Sequence, residues 1–167
     1  MSADTASAQT LTAVIYREGH LLDTQAFDAW LDLYCEDAQF WMPAWTDENR
    51  LTNSPDTELS LIYCAAKAGL QDRVWRVRSG LSVASTPLLR TTHLISNTIL
   101  ITQDSNTAEV HSSWTCHTWN IKRQTQHAFF GRYEHRLKLV ANEWQIARKK
   151  IILMNDRIPT MLDFYCV

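Results

Sequence analysis

The feature that most constrains the fold is a change of hydrophobic period at Thr91. From there on, apolar residues recur at every second position in four long runs, over residues 91–102, 108–120, 127–140 and 144–155. A period of two is typical of strands that bury one face. The segments between the runs are short and polar, which favours antiparallel neighbours joined by tight turns. We therefore expect a four-stranded meander in the second half of the chain.

The first half has helical periodicity instead. Residues 59–64 alternate as in a short strand, and the polar stretch 44–56 is typical of a surface loop. Helices grouped before an antiparallel sheet predict a single α+β domain over residues 1–167, with a curved sheet around the helices. Three sets of apolar residues have the spacing of a helix face: Leu11, Val14, Ile15, Leu21 and Leu22; Phe27, Trp30, Leu31 and Tyr34; Leu70, Val74, Val77 and Leu81.

Composition excludes several classes of protein. A net charge of −2 with both signs scattered lacks the basic stripe that nucleic-acid binding requires. No stretch approaches the roughly 20 apolar residues of a membrane span, and residues 1–9 do not resemble a signal peptide. We expect a cytoplasmic protein without nucleic-acid or membrane partners.

The cysteines indicate buried thiols. Cys35, Cys64, Cys116 and Cys166 are far apart and never in C-x-x-C spacing, which argues against a disulfide framework or a sulfur-ligated metal. The chain also has seven Trp residues, which favours an aromatic core and leaves some indoles for a subunit interface.

Few residues suggest chemistry. His117 and His127 would face each other if the intervening loop closes a hairpin, but a polar or stacked pair is the simpler interpretation than a metal site. Arg148-Lys149-Lys150 is most simply interpreted as a strand with alternating solvated charges. If Lys149 faces inward instead, it needs a carboxylate partner. An acid–base set could be assembled from Asp32, Asp37, His93, His111 and Tyr133, although their spacing does not demand one.

The order of motifs along nearly the whole chain resembles the small, or beta, subunits of bacterial Rieske-type aromatic-ring-hydroxylating dioxygenases, in particular the benzoate, toluate and anthranilate group. The residues that carry the resemblance are Leu22-Asp23, Phe27-Asp28-x-Trp30-Leu31-x-Leu33-Tyr34, Asp37-Ala38-x-Phe40-Trp41-Met42-Pro43-Ala44-Trp45, Glu58-Leu59-Ser60-Leu61-Ile62-Tyr63, Gly69-Leu70-x-Asp72-Arg73-Val74, Ala84-Ser85-x-Pro87, Arg90-Thr91-x-His93-x-x-Ser96-Asn97 and Lys149-Lys150-Ile151-Ile152-Leu153-x-Asn155-Asp156.

The resemblance implies a cone-shaped fold of the cystatin-like, nuclear-transport-factor-like kind and a structural role. The large, or alpha, subunit would carry a Rieske [2Fe–2S] cluster and a mononuclear Fe(II), with electrons from NADH through a reductase. An α3β3 assembly would cis-dihydroxylate an aromatic carboxylate with O2. The segment 127–135 slightly favours anthranilate or another ortho-substituted benzoate.

On this interpretation no catalytic, cofactor-binding or metal-binding residue is expected in this chain. The expected contacts to the large subunit and other small subunits are Trp45, Arg73, Arg76, Arg90, Asn155 and Asp156. Two alternatives stay open. The same cone fold could be an autonomous isomerase or dehydratase with an Asp/His site in a polar cavity, or a small-ligand-binding module with a cavity but no acid–base pair.

Overall fold

The structure, a computed structural model, describes residues 6–82, 85–159 and 161–167; Ala84, in one of the motifs above, lies outside them. The helices are α1 (Ala8–Asp23), α2 (Phe27–Asp32) and α3 (Lys67–Arg78). The strands are β1 (Tyr34–Pro43), β2 (Ser60–Cys64), β3 (Arg90–Gln103), β4 (Thr107–Asn120), β5 (Thr125–Val140) and β6 (Glu143–Leu153), and a 3-10 turn covers Phe164–Cys166. The predicted α+β class is confirmed.

The six strands form one sheet in the order β2-β1-β6-β5-β4-β3. Strands β3 to β6 are the predicted antiparallel meander. Strand β1 adds to the other side of β6 in parallel and pairs with β2 in the antiparallel sense. The sheet is therefore mainly antiparallel, and both halves of the chain contribute to it.

The turn between β5 and β6 sets their register. Ala141 and Asn142 have φ of 48° and 68°, and two consecutive positive φ values are the signature of the two-residue turn that matches strand twist. This turn pairs Val140 with Glu143. Beyond Leu137 and Ile146 an irregularity shifts the register by one residue, and His135 and Lys149 then lie opposite each other.

Helix α1 lies against the inner face of the sheet. Its N-cap is Ser7, whose side-chain oxygen accepts from the backbone N–H of Thr10 at 3.1 Å. Gly19 permits the close approach, because a Cβ there would lie 3.2 Å from Cβ of His93 and 3.1 Å from Cδ1 of Ile95. The backbone of α1 at Gly19 therefore lies in close contact with the β3 side chains His93 and Ile95.

The core is rich in aromatic rings. Trp30 stacks on Phe164 with ring centroids 5.0 Å apart, and both rings are fully buried between helices and sheet. Trp41 and Trp114 are also buried, whereas Trp75 and Trp119 are exposed.

Other expectations have mixed outcomes. All four thiols are free and buried, as predicted. Leu81 was expected to extend the apolar stripe of the third helix, but that helix ends at Arg78 and Leu81 is exposed. Among the described helices none is long and apolar enough to cross a membrane.

Candidate functional site

A charged network lies at the centre of the inner face of the sheet. Glu18 on α1 accepts hydrogen bonds at Oε1 from the Tyr34 hydroxyl (2.5 Å), Lys149 Nζ (2.9 Å) and Trp30 Nε1 (3.3 Å). Its other oxygen, Oε2, lies 3.2 Å from His135 Nε2. Four elements of the fold therefore converge on one carboxylate.

Lys149 is the basic member of this network, and its side chain faces inward. Besides its bond to Glu18, Nζ donates to the main-chain oxygen of Val167 at 3.3 Å. It also lies 4.3 Å from the ring centroid of Tyr133, where the π face attracts a cation. Lys149 therefore follows the inward alternative, with Glu18 as the carboxylate partner that this alternative requires.

Burial and mutual charge determine the protonation states. Burial by itself raises the pKa of Glu18. The charge of Lys149 and the hydrogen bonds from His135 and Tyr34 lower it by more than this, so the pKa lies well below its ordinary value. Burial lowers the pKa of His135 and of Lys149, and the charge of Glu18 opposes both shifts. At neutral pH Glu18 is therefore a carboxylate and His135 a neutral imidazole that donates to Oε2 from Nε2, while Lys149 Nζ donates to Oε1.

A second contact between a carboxylate and an imidazole lies at the end of α1. Asp23 Oδ1 is 2.5 Å from His93 Nδ1, and Oδ2 accepts the His93 backbone N–H at 2.7 Å. The Thr91 hydroxyl donates to Oδ1 at 2.9 Å. Burial raises the pKa of Asp23, yet these bonds lower it below its ordinary value. Asp23 thus ties the end of α1 to β3.

The five residues considered as an acid–base set do not come together. Asp32 and Asp37 are exposed, and His111 bonds to Glu109 at 2.9 Å on the outer face of the sheet. Tyr133 and His93 are on the inner face. The combination is therefore wrong as a site.

Glu18, Asp23 and His135 were missed as members of buried networks. A signal for Glu18 was present in the sequence. It lies seven residues after Leu11 and four before Leu22, on the buried stripe of α1 that also contains Ile15. A carboxylate on such a stripe requires a buried partner.

The His117 and His127 hypothesis is also wrong. The hairpin forms, but its register pairs His127 with Thr118, so His117 falls one position out of line. Because successive strand residues alternate between faces, His117 points outward while His127 packs edge-on against Phe129 at 4.5 Å. Within the described ranges, no group of three or more His, Cys, Asp or Glu side chains is placed to hold a metal ion.

Three of the six expected contact residues have partners within the chain. Trp45 Nε1 donates to the carbonyl of Leu153 at 2.7 Å, and Arg73 pairs with Asp163 at 2.9 Å. The Asn155 side chain bonds the β5 backbone at two points, 2.7 Å and 3.0 Å. The other three, Arg76, Arg90 and Asp156, are exposed.

The fold defines the class of protein first. The chain is similar to an NTF2-like protein with a cystatin-like fold from Novosphingobium aromaticivorans, with a TM-score of 0.62, 12% identity and coverage of 89% of this chain and 82% of that one, which shows the fold alone. It is also similar to the beta subunit of the benzoate 1,2-dioxygenase from Burkholderia mallei, with a TM-score of 0.77, 34% identity and coverage of 94% and 95%. The cone of the cystatin-like class is thereby confirmed.

Sequence comparison then gives the family. Residues 17–160 match the family described as ring hydroxylating beta subunit. The chain is 37% identical to the toluate 1,2-dioxygenase subunit beta of Pseudomonas putida, over 98% of this chain and 99% of that one. It is 40% identical to the 2-halobenzoate 1,2-dioxygenase small subunit of Burkholderia cepacia, over 94% of each. The chain belongs to the ring hydroxylating beta subunit family.

Proposed function

We propose that this chain is the structural small subunit of a dioxygenase that cis-dihydroxylates an aromatic carboxylate, with the chemistry in a separate large subunit. The observation that carries the proposal is family membership along almost the whole chain. Relatives named for toluate and 2-halobenzoate, and a structural neighbour named for benzoate, support a substrate of the benzoate class. The 2-halobenzoate relative supports an ortho-substituted ring, which includes the anthranilate type.

The interior of the cone supports a structural role. An isomerase or dehydratase of this fold needs an acid–base pair that substrate can reach. Here His135 and Lys149 each bond to Glu18, and at most 1% of each of the three side chains is exposed. Because their partners are already within the chain, this network acts as core packing, and the autonomous-enzyme alternative is not favoured.

Iron chemistry places demands that the described residues do not meet. A Rieske cluster needs two Cys and two His, and non-haem Fe(II) of the oxygenase type needs two His and a carboxylate. The described side chains bring no such group together. In our proposal the Rieske cluster and the Fe(II) belong to the large subunit, which receives electrons from NADH through a reductase.

The subunit contacts remain part of the proposal. Arg76, Arg90 and Asp156 are exposed and available to a neighbouring large or small subunit. Trp45, Arg73 and Asn155 would support such an interface from beneath, since each fixes a loop or a strand end through the bonds described above. We propose a cytoplasmic α3β3 assembly.

Co-expression with an affinity-tagged cognate large subunit tests the proposal. We expect the two chains to co-purify in equal amounts, and light scattering to give the mass of three copies of each. A tag-free control of the large subunit excludes carry-over on the resin. If the elution volume of this chain is unchanged in the presence of the large subunit, the proposal is wrong.

A further inference from the structure

The outer face of the sheet has a surface cleft of about 390 Å³ near the ends of β5 and β6. One wall of the cleft is basic and is formed by Arg136 and Lys138 on β5 and Arg148 on β6. We call it the cationic cleft. Asp37 on β1 is the carboxylate among its lining residues, and it is exposed. The cleft therefore contains three cations and one solvated anion.

The register brings two of these cations face to face. Arg136 is the direct cross-strand partner of Arg148, and like charges in this position destabilise a sheet. Glu109 lies opposite Arg136 on β4, but its Oε1 is bonded to His111 Nε2 at 2.9 Å. In the part of the chain that the structure describes, no carboxylate forms an ion pair with a cation of the cleft.

Arg148, a partly exposed residue, is not fully satisfied within its own chain. Its Nε is buried and has no hydrogen-bond partner among the described residues. A buried donor left without an acceptor is costly, and a charged donor more so. Lys150, the outward neighbour two positions later on the same strand, shows the ordinary solution, since it pairs with Glu134 at 3.2 Å.

Apolar side chains continue the same outer face toward β3. Leu94, Ile99 and Phe130 are 56%, 58% and 48% exposed. The register places Leu94 and Phe130 in one cross-strand row through Thr115, so they lie on one face. Exposed apolar residues on the same face as unpaired Arg are typical of protein interfaces.

We propose that this outer face docks on the large subunit and that the cationic cleft receives an Asp or Glu side chain of that subunit. The inference rests on the proposed function, because family membership supplies the partner. Charge selects the chemistry of the contact, since no described carboxylate, Asp37 included, forms an ion pair with Arg136 or Arg148. The net charge of −2 makes a polyanion such as nucleic acid the poorer occupant.

The test compares two substitutions with the same charge change. Arg136→Glu alters the cleft at an exposed side chain, whereas Arg123→Glu alters the exposed β4–β5 turn. Affinity for the cognate large subunit is measured by titration at several salt concentrations. We expect Arg136→Glu to raise Kd by about 10- to 100-fold and to flatten its salt dependence, with Arg123→Glu close to wild type.

The possible results of the titrations lead to different conclusions. Equal Kd values for the two variants would overturn the proposed role of the cleft while leaving the proposed function intact. No binding by the wild type would reject the proposed function itself. If Arg136→Glu instead abolished self-association of the isolated chain without affecting the large-subunit titration, a second copy would be the occupant and the proposal would be wrong. Thermal unfolding confirms that each variant is folded, and Arg148→Gln provides a second probe of the cleft.

Discussion

Glu18 Oε1 and Lys149 Nζ lie 2.9 Å apart with each side chain only 1% exposed, although 131 residues separate them along the chain. The pair connects the first helix to the last strand. A buried ion pair adds little net stability over an apolar pair, because desolvation offsets the attraction. The pair instead favours one position of α1 against β6, because any other packing of α1 would separate the two buried charges.

Breaking this pair should be far more costly than breaking a surface pair. We expect Glu18→Gln to lower the free energy of unfolding by about 3–5 kcal/mol, because Lys149 is left as an uncompensated buried charge. The matched control is Glu134→Gln, which removes the more exposed Lys150 pair and should cost about 1 kcal/mol or less. Urea denaturation measures both. Equal losses in the two variants would contradict the account.

The same network makes the free energy of unfolding depend on pH. The pKa of His135 is lowered in the folded state, so as pH falls through its ordinary value of 6.5 the unfolded chain takes up a proton that the folded chain does not. The pKa values of Glu18 and Asp23 are also lowered, which adds a second loss as pH falls through 4.5 and 3.8. We expect the free energy of unfolding to decline below neutral pH by up to about 1.4 kcal/mol per pH unit for each titrating group.

Urea titrations at a series of pH values measure this decline. The control is His135→Gln, whose amide can still donate to Glu18 but does not titrate, so the first step of the decline should vanish. A wild-type protein as stable at pH about 5.5 as at pH about 7.5 would refute the assignment of a neutral His135.

Asp23 should act as a tether between α1 and β3. Asp23→Ala removes the acceptor for Thr91 and for both donors of His93, and we expect a loss of about 2–4 kcal/mol. Asp32→Ala, an exposed carboxylate removed nearby, should change stability by less than about 0.5 kcal/mol. Hydrogen exchange at the end of α1 gives the local readout. Unchanged protection there in Asp23→Ala would show that the tether is dispensable.

Two glycines offer a sharp contrast. A Cβ at Gly131 would lie 1.8 Å from the carbonyl oxygen of Ile152, a contact that only a shift of β5 against β6 could relieve. A Cβ at Gly80 meets nothing within 4 Å, and the cost there is its φ of +69°. We expect Gly131→Ala to cost more than about 4 kcal/mol and Gly80→Ala about 1–2 kcal/mol in thermal or urea unfolding. The reverse order would contradict the strand register.

The second half of the fold was predictable because each of its strands buries one face, so the period of two is visible in the residues themselves. The pairing of β1 with β6 was not, since parallel addition of a distant strand leaves no local pattern. The inward Lys149 was only the second interpretation of the Arg148-Lys149-Lys150 run, because alternation from the buried Ile146 would place Lys149 on the outer face. The contact of Lys149 with Glu18 and the Arg136–Arg148 apposition depend on register. The turn at Ala141 and Asn142 sets that register only as far as Leu137 and Ile146, and an irregularity between Leu137 and Arg136 then shifts it by one residue, which hydrophobic period alone does not reveal.

The most direct test of the central claim is a turnover assay on the separated and recombined subunits. The purified chain alone, the large subunit alone and their complex are each given O2, NADH, the reductase and a benzoate-class substrate, and the diol product and bound iron are quantified. We expect product from the complex and neither product nor stoichiometric iron with this chain alone. Turnover of the aromatic carboxylate by this chain unaided would contradict the account.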